Sequence, residues 1–110
     1  MRRNRFQVVP VERRTVDGVV FASGKEAKRY GELKQLERAG EITHLELQPS
    51  FPVLIKGQTY CIYTADFAYR EKGYWIVEDV KSSGTAKDAA YRLRKKAAQL
   101  FHDITVREVI

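Results

Sequence analysis

The sequence predicts an α/β domain in which helices flank a mixed β-sheet, and three observations support this fold class. Helical patterns cover residues 23–39 and 86–101, and the segment between them alternates or is apolar in the manner of β-strands. A final alternating segment, ITVREVI, predicts a last strand that completes the sheet. The order of hairpin, helix, strands, helix and strand therefore indicates one mixed sheet with a helix on each side of the central strands.

Length and composition limit the possibilities to one folded domain, residues 1–110, with a single core. The net charge of +6 is a moderate indication of a polyanionic partner, although solubility alone accounts for that much charge. Cys61 is the only cysteine, which excludes an internal disulfide and a thiolate metal site. No segment has the apolar length of a signal peptide or a membrane span, so we expect a soluble, cytoplasmic protein.

The chain begins with a basic arm over about residues 1–10. Arg2, Arg3 and Arg5 lie in this arm. A solvated terminus and an arm that reaches a phosphate backbone are equally consistent with these arginines. A β-hairpin that turns at Asp17-Gly18 is predicted to follow.

The first helix is predicted to begin at the N-cap Ser23 and to end before Gly40. Its buried stripe consists of Tyr30, Leu33 and Leu36, and its solvated positions include Lys28, Arg29 and Lys34. Glu26 follows Ser23 by three residues, the spacing of a capping box, and also lies at the leading end of the buried stripe. Both a capping role and a role in a functional site remain open for Glu26.

The segment after this helix predicts two strands separated by Gln48-Pro49, then a turn at residues 56–58 and a strand over residues 60–68. Asp66 interrupts the apolar and aromatic run of this last strand. An ionised carboxylate in such a position needs a cation, hydrogen-bond donors or solvent. A hairpin through residues 70–73 leads from this strand to the next one.

The strand predicted over residues 74–80 carries the charged residues around which the rest of the chain is predicted to be arranged. The run YWIVEDVKS begins as an apolar strand and then carries Glu78, Asp79 and Lys81. Because side chains alternate along a strand, Asp79 and Lys81 project on one face and Glu78 on the other. A carboxylate beside an ammonium group suits metal-assisted phosphodiester cleavage, in which the acid holds a hard cation and the lysine positions the attacking water. Asp66 is the candidate for the second acid, and we expect its carboxylate to converge with that of Asp79.

The second helix combines an apolar stripe with an unusually basic remainder. The residues predicted to pack inward are Ala90, Leu93, Ala97, Leu100 and Phe101. The basic residues are Lys87, Arg92, Arg94, Lys95 and Lys96, and Asp88 alone offsets them. Because ordinary helix surfaces mix the two signs of charge, this pattern favours a surface that faces phosphates.

Four segments in order, GVVFASGKEAKRYGELKQLERAGEI, LELQPSF, YTADFAY and VEDVK, resemble the PD-(D/E)xK nuclease superfamily, which has a restriction-endonuclease-like fold. The chain looks most similar to small phage and prophage proteins of that superfamily whose function is unassigned. The resemblance covers most of the chain and is more specific than the D…DxK pattern alone. Ala65 stands where the superfamily's name has proline, which changes backbone stiffness but removes no ligand.

The resemblance implies that Asp66 and Asp79 are metal ligands, that Lys81 is the catalytic lysine and that Glu26 is an accessory acid acting through water. The backbone carbonyl of Val80 is the further ligand. Oxygen ligands of this kind suit Mg²⁺, for which Mn²⁺ substitutes.

Two other groups of residues have a role under this interpretation. Gln48 resembles a glutamine that many relatives carry near the active site. DNA contacts are predicted for the arm arginines, for Lys25 beside Glu26 and for the basic side of the second helix.

The leading functional hypothesis is a Mg²⁺-dependent DNA endonuclease, with branched-DNA (Holliday junction) resolution ranked first and general DNA processing second. A two-fold homodimer would present two sites to a junction, and the location would be the cytoplasm of a bacterial host. One alternative is a non-catalytic DNA-binding module in which Asp79 and Lys81 form only a structural ion pair. Another is a phage assembly or adaptor protein that has kept the fold and lost the chemistry.

Overall fold

The computed structural model describes residues 10–81 and 89–110, which form a mixed α/β architecture. In chain order the elements are a 3₁₀ turn (Val11–Arg14), β1 (Thr15–Val16), β2 (Val19–Val20), α1 (Gly24–Arg38), β3 (Thr43–Leu47), β4 (Ser50–Ile55), β5 (Gln58–Thr64), β6 (Phe67–Glu71), β7 (Tyr74–Val80), α2 (Ala89–His102) and β8 (Val106–Val109). Both predicted helices and the predicted last strand are therefore present.

The main sheet has the strand order β3-β6-β7-β8. Neighbouring strands are antiparallel except for β7 and β8, which are parallel and are joined in sequence by the segment that contains α2. A parallel pair needs such a long crossover, whereas antiparallel neighbours need only a short turn. The predicted mixed sheet is confirmed, and its parallel pair aligns the carboxyl ends of β7 and β8 at one edge.

Three hairpins close with two-residue turns, at Asp17-Gly18, Lys56-Gly57 and Lys72-Gly73. Both residues of each turn have positive φ, for example 52° at Asp17 and 77° at Gly18. Two successive positive φ angles suit the right-handed twist of a hairpin, and glycine adopts them without steric cost. The turns predicted at Asp17-Gly18, within residues 56–58 and within residues 70–73 are confirmed.

The single strand predicted over residues 60–68 is wrong, because the chain changes sheets within it. β5 ends at Thr64 and pairs with β4 in a separate two-stranded ribbon, whereas β6 begins at Phe67 and lies in the main sheet. Ala65 and Asp66 form the break between them. At the break, the carboxylate of Asp66 accepts a hydrogen bond from the backbone N–H of Val80 on β7.

Two hydrophobic clusters occur in the described part of the chain, one on each face of the main sheet. The cluster on the α1 face includes Tyr30 and Leu33 of the predicted helix stripe, with Leu36 packed at its margin. The cluster on the α2 face includes Val77 of β7 and Ala98 of α2. Since Ile76 and Val80 pack on the α1 side, the alternation predicted along β7 is confirmed.

The inward face predicted for α2 is wrong. The side chains of Leu93 and Leu100 are 69% and 73% exposed, and Ala90 and Phe101 are exposed as well. Of the predicted residues only Ala97 packs against the core, and Tyr91 and Ala98 face the core beside it. The inward face is thus displaced by about one residue, or about 100° around the helix axis. The physical reason is that the Tyr91 hydroxyl donates a hydrogen bond to the buried Asp79 carboxylate, which needs a donor.

Candidate active site

Asp66 is held at the carboxyl end of β7 by its backbone and its side chain. Its N–H donates to the carbonyl of Glu78 at 3.0 Å, and its Oδ2 accepts from the N–H of Val80 at 2.7 Å. The N–H of Gln48 donates to the carbonyl of Asp66 at 2.9 Å. The Val80 contact fixes the orientation of the Asp66 carboxylate, and the backbone of the exposed residue Gln48 lies next to that of Asp66.

Asp79 is 5% exposed and lies on the α2 face of β7. Its Oδ2 accepts hydrogen bonds from the hydroxyls of Tyr63, on β5, and Tyr91, on α2. Burial, followed by the hydrogen bond to Asp79, raises the pKa of both tyrosines. The two hydroxyls therefore stay protonated and hold the carboxylate of Asp79 in place as donors.

Glu26 lies in the first turn of α1 and is 7% exposed. The Ser23 hydroxyl accepts a hydrogen bond from the Glu26 N–H at 3.1 Å, so the predicted N-cap is confirmed. The Glu26 carboxyl group shares a hydrogen bond with Asp66. Burial, the charge of Asp66, this hydrogen bond and the charge of Asp79 together raise the pKa of Glu26 to about 7. Three carboxyl groups from different parts of the chain therefore form one acid cluster.

Lys81 follows β7 directly and lies on the side of Asp79. Its Nζ is 2.5 Å from Oε2 of Glu108, on β8, and 3.0 Å from the hydroxyl of Tyr91. Hydrogen bonds from Lys81 and then from Lys95 lower the pKa of Glu108 to about 2. The Tyr91 hydroxyl contacts both Lys81 and Asp79, so one tyrosine links the motif acid to the motif lysine.

The acid cluster has the oxygen donors that Mg²⁺ and Mn²⁺ prefer. Burial first, and then the like charges of Asp66 and Asp79, raise the pKa of Glu26, and a bound cation would offset the effect of those charges. Among residues 10–81 and 89–110, no three His, Cys, Asp or Glu side chains are grouped so that they could hold a metal ion. The donor chemistry fits the predicted ion, with Glu26 and Asp66 hydrogen-bonded to each other in the present arrangement.

Glu78 is a buried acid of a different kind on the opposite face of β7. It is 0% exposed and forms a two-pronged ion pair with Arg29 of α1, with N–O distances of 2.9 and 2.7 Å. The hydroxyl of Tyr69 also donates to its carboxylate. The prediction that Arg29 lies on a solvated face is therefore wrong, because its guanidinium compensates a buried charge.

The predicted DNA contacts divide between two surfaces. Arg92, Lys95 and Lys96 line an open depression of about 520 Å³ that also includes Tyr91 and Glu108, next to Lys81. Arg94 instead lies beside Leu93 and Tyr60 on another side of α2. The Nζ of Lys25 donates a hydrogen bond to the carbonyl of Lys81 at 3.0 Å, which places the Lys25 ammonium group next to the motif lysine. The remaining predicted contacts, Arg2, Arg3, Arg5 and Lys87, lie outside the described residues.

Sequence reasoning missed three residues that position the motif: Tyr63, Tyr91 and Glu108. Tyr63 had a usable signal, because it lies three residues before Asp66 on a strand that ends at the site. Tyr91 and Glu108 are 12 and 27 residues from their partners Asp79 and Lys81, so no local pattern identifies them. Their role depends on how α2 and β8 return to β7.

One family model matches the chain, over residues 9–109, and its description is protein of unknown function (DUF1064). Because the match spans nearly the whole chain, the chain belongs to this family. No curated protein and no solved structure matches the chain significantly. Within the described residues, neither α1 nor α2 has the length and apolar content to cross a membrane.

Proposed function

We propose that this DUF1064 protein is a metal-dependent DNA endonuclease with a restriction-endonuclease-like fold and a PD-(D/E)xK-type site. The observation that carries the proposal is that Glu26 is hydrogen-bonded to Asp66 and lies within reach of the charge of Asp79, while the Tyr91 hydroxyl joins Asp79 to Lys81. A fold has no structural need for three clustered acids, because each one raises the cost of ionising the others. Such a cost is typical of a site that performs chemistry.

The residues that would hold Mg²⁺ are Asp66, Asp79 and the backbone carbonyl of Val80, with Glu26 acting through water. When bound, the ion would supply charge stabilisation for the phosphate undergoing cleavage. Lys81 would position the attacking water, and the hydroxyl of Tyr91 keeps its ammonium group beside the acids. The ion pair with Glu108 limits the movement of the Lys81 ammonium group.

The basic depression on α2 and the Lys25 amine lie on two sides of this cluster, which supports DNA as the substrate. Branched DNA is the substrate that we propose first, since a domain of this size carries no separate element for reading a base sequence. Two copies related by a two-fold axis would cleave a junction symmetrically.

The test is a cleavage panel of junction, flap, duplex and single-stranded DNA with Mg²⁺ or Mn²⁺. The wild type should cleave at least one substrate, and Lys81→Ala should lower the rate by roughly 100- to 10,000-fold while DNA affinity persists. Lys56→Ala, an exposed lysine in the β4–β5 turn, is the matched control and should cleave normally. A wild type without metal-dependent cleavage of any substrate would contradict the proposal.

A second candidate function, a non-catalytic DNA-binding module, is favoured by one specific observation. The motif residues are engaged within the protein, since Asp79 accepts from two tyrosine hydroxyls and Lys81 pairs with Glu108. Under this candidate, Lys81→Ala removes the nearer of the two lysines that pair with Glu108, so stability or affinity falls with no cleavage to lose. The unfolding midpoint, DNA affinity and cleavage rate of one preparation separate the two functions.

A further inference from the structure

A cavity of about 230 Å³ lies on the α2 face of the main sheet, apart from the acid cluster. Its floor is a row across three strands, in which Glu46 pairs with Ala68 and Ala68 pairs with Val77. Aromatic rings of Phe51 and Trp75 form part of its lining, together with residues at the end of α2. The cavity is therefore shaped by a flat sheet and by planar side chains.

Trp75 is the only tryptophan of the chain, and half of its side chain, 49%, is exposed. The guanidinium of Arg70, its partner across the β6–β7 pair, lies over the indole with its carbon 4.8 Å from the ring centroid. This contact fixes the orientation of the indole, since guanidinium groups stack on aromatic faces. An exposed, oriented indole beside a cavity is a stacking platform for another planar ring.

The polar groups of the cavity also suit a planar heterocycle. The carboxylate of Glu46 accepts hydrogen bonds from amino groups, and the hydroxyl of Ser50 can donate or accept. The ring of His102 is fixed because its Nε2 lies 2.7 Å from the carbonyl oxygen of Pro52, so this nitrogen carries the proton. Hydrogen-bonding edges and an aromatic platform are the two features by which proteins recognise an unstacked base.

The cavity lies on the same face of β7 as the motif acid. Trp75, Val77 and Asp79 alternate along the strand, and the two residues from Val77 to Asp79 correspond to roughly 7 Å. A nucleic-acid strand that reaches the acid cluster would thus pass near the cavity. The net charge of +6 and the cations beside the site complement its phosphates.

We propose that this cavity binds one unpaired nucleobase of the DNA substrate, stacked on Trp75 and recognised at its edge by Glu46 and Ser50. The inference rests on the proposed function, because the base bound in the cavity would belong to the DNA that is cleaved at the acid cluster. The nuclease would then recognise unpaired bases next to the cleavage position. A single-stranded flap at a branch contains such bases, whereas a continuous duplex keeps its bases stacked and paired.

Binding of metal-free protein in EDTA tests this proposal without cleavage. A single-stranded oligonucleotide and an abasic one with the same number of phosphates are titrated against the wild type, and the emission of Trp75 is recorded. We expect the base-containing strand to change the emission and to bind at least about fivefold more tightly than the abasic strand, because stacking adds to the phosphate contacts. Equal affinity for the two strands would overturn the proposal.

Variants isolate the stacking surface, with binding followed by the anisotropy of labelled DNA. Trp75→Leu should weaken binding of the base-containing strand at least about fivefold and leave the abasic strand unchanged, whereas Trp75→Phe should retain most of the affinity. Tyr74→Leu changes the neighbouring exposed aromatic residue on the opposite face of β7 and should bind both strands normally. Unaltered binding by a folded Trp75→Leu protein would refute the base site.

The outcomes also separate this inference from the nuclease proposal. If the wild type binds the base-containing strand through Trp75 but cleaves no DNA, the base site is supported and the nuclease proposal is refuted. If the wild type cleaves DNA and the Trp75→Leu variant binds both strands normally, the nuclease proposal is supported and the base site is refuted. Emission of Trp75 that changes with protein concentration in the absence of DNA would assign the cavity to a second copy of the chain and overturn the base site.

Discussion

Two buried acids, Glu78 and Glu26, lie on the two sides of the α1–β7 contact and are stabilised in opposite ways. Glu78 is completely buried and meets a guanidinium at 2.7 and 2.9 Å together with a tyrosine hydroxyl. Glu26 is almost as buried but has Asp66 and the charge of Asp79 nearby, and burial together with these two acids raises its pKa to about 7. The charge of Glu78 is therefore compensated within the protein, whereas that of Glu26 is not.

The comparison shows how the fold supports the acid cluster. Arg29 and Glu26 lie on the same helix, one turn apart, and Glu78 and Asp79 are consecutive on β7. The ion pair between Arg29 and Glu78 therefore joins the helix that carries Glu26 to the strand that carries Asp79. Its attraction offsets the repulsion among the neighbouring acids, which would otherwise separate α1 from the end of the sheet.

The largest effect is expected where the compensated acid loses its partner. Arg29→Met keeps much of the aliphatic stem but leaves the buried Glu78 with only the half-exposed Arg107, at 4.0 Å, as a cation, which should lower the free energy of unfolding by about 3 to 5 kcal/mol. Chemical denaturation measures this loss. Arg38→Met, at the exposed end of α1, is the control and should change stability little.

The double variant Arg29→Met/Glu78→Gln sharpens this test. Removing the charge of Glu78 together with its partner should recover part of the lost stability, because no uncompensated charge remains buried. A single Arg29→Met variant as stable as the control would show that the ion pair does not hold α1 against β7.

The uncompensated acid should make stability depend on pH. The folded pKa of Glu26, about 7, is above its ordinary value of 4.5, so the folded protein binds a proton between these pH values that the unfolded chain releases. The stability from this group is complete below pH 4.5 and is lost as the pH rises through 7, by up to about 3 kcal/mol. Unfolding of metal-free protein at pH 5 and pH 8 measures the loss.

Glu26→Gln should reduce that pH dependence, because its neutral amide replaces the titrating carboxyl group beside Asp66 and Asp79. Glu41→Gln, at an exposed position after α1, is the matched control and should keep the wild-type dependence. The assignment to Glu26 would fail if both variants lost stability between pH 5 and pH 8 as the wild type does.

A bound cation should partly reverse this loss. At pH 8 and a metal concentration ten times the dissociation constant, Mn²⁺ should stabilise the wild type by about 1.4 kcal/mol. Asp79→Asn should show a much smaller gain, because one proposed ligand has lost its charge. Thermal unfolding with and without Mn²⁺ provides the measurement, and an equal gain in Asp79→Asn would place the ion elsewhere.

The sequence was informative wherever structure follows from neighbouring residues. The N-cap Ser23, the hairpin turns and the alternation along β7 were predicted because capping, turn geometry and side-chain alternation are local properties. The placement of Asp79 and Lys81 on one face followed directly from that alternation. The PD-(D/E)xK relationship and the identity of the ion stay predictions.

The features that sequence reasoning missed depend on contacts between distant segments. The break between β5 and β6 occurs at Asp66, whose carboxylate accepts a hydrogen bond from the N–H of Val80. The face of α2 that carries Tyr91 packs inward because the Tyr91 hydroxyl donates a hydrogen bond to Asp79. The Arg29–Glu78 pair spans 49 residues. Helical periodicity identifies an apolar stripe, but it does not reveal that a buried carboxylate elsewhere requires a donor from the same helix.

The smallest effect concerns the basic side of α2, where two exposed or half-exposed cations lie on different surfaces. Lys96 lines the depression beside Lys81 and Glu108, whereas Arg94 lies beside Leu93 and Tyr60. If the depression contacts phosphates, Lys96→Ala should reduce the slope of log affinity against log salt by about 0.9 on duplex DNA and weaken binding by less than tenfold. Arg94→Ala is the matched control for loss of one positive charge from the same helix, and it should leave the slope unchanged. An equal reduction of the slope in the two variants would mean that net charge, rather than the surface next to the acid cluster, determines DNA binding.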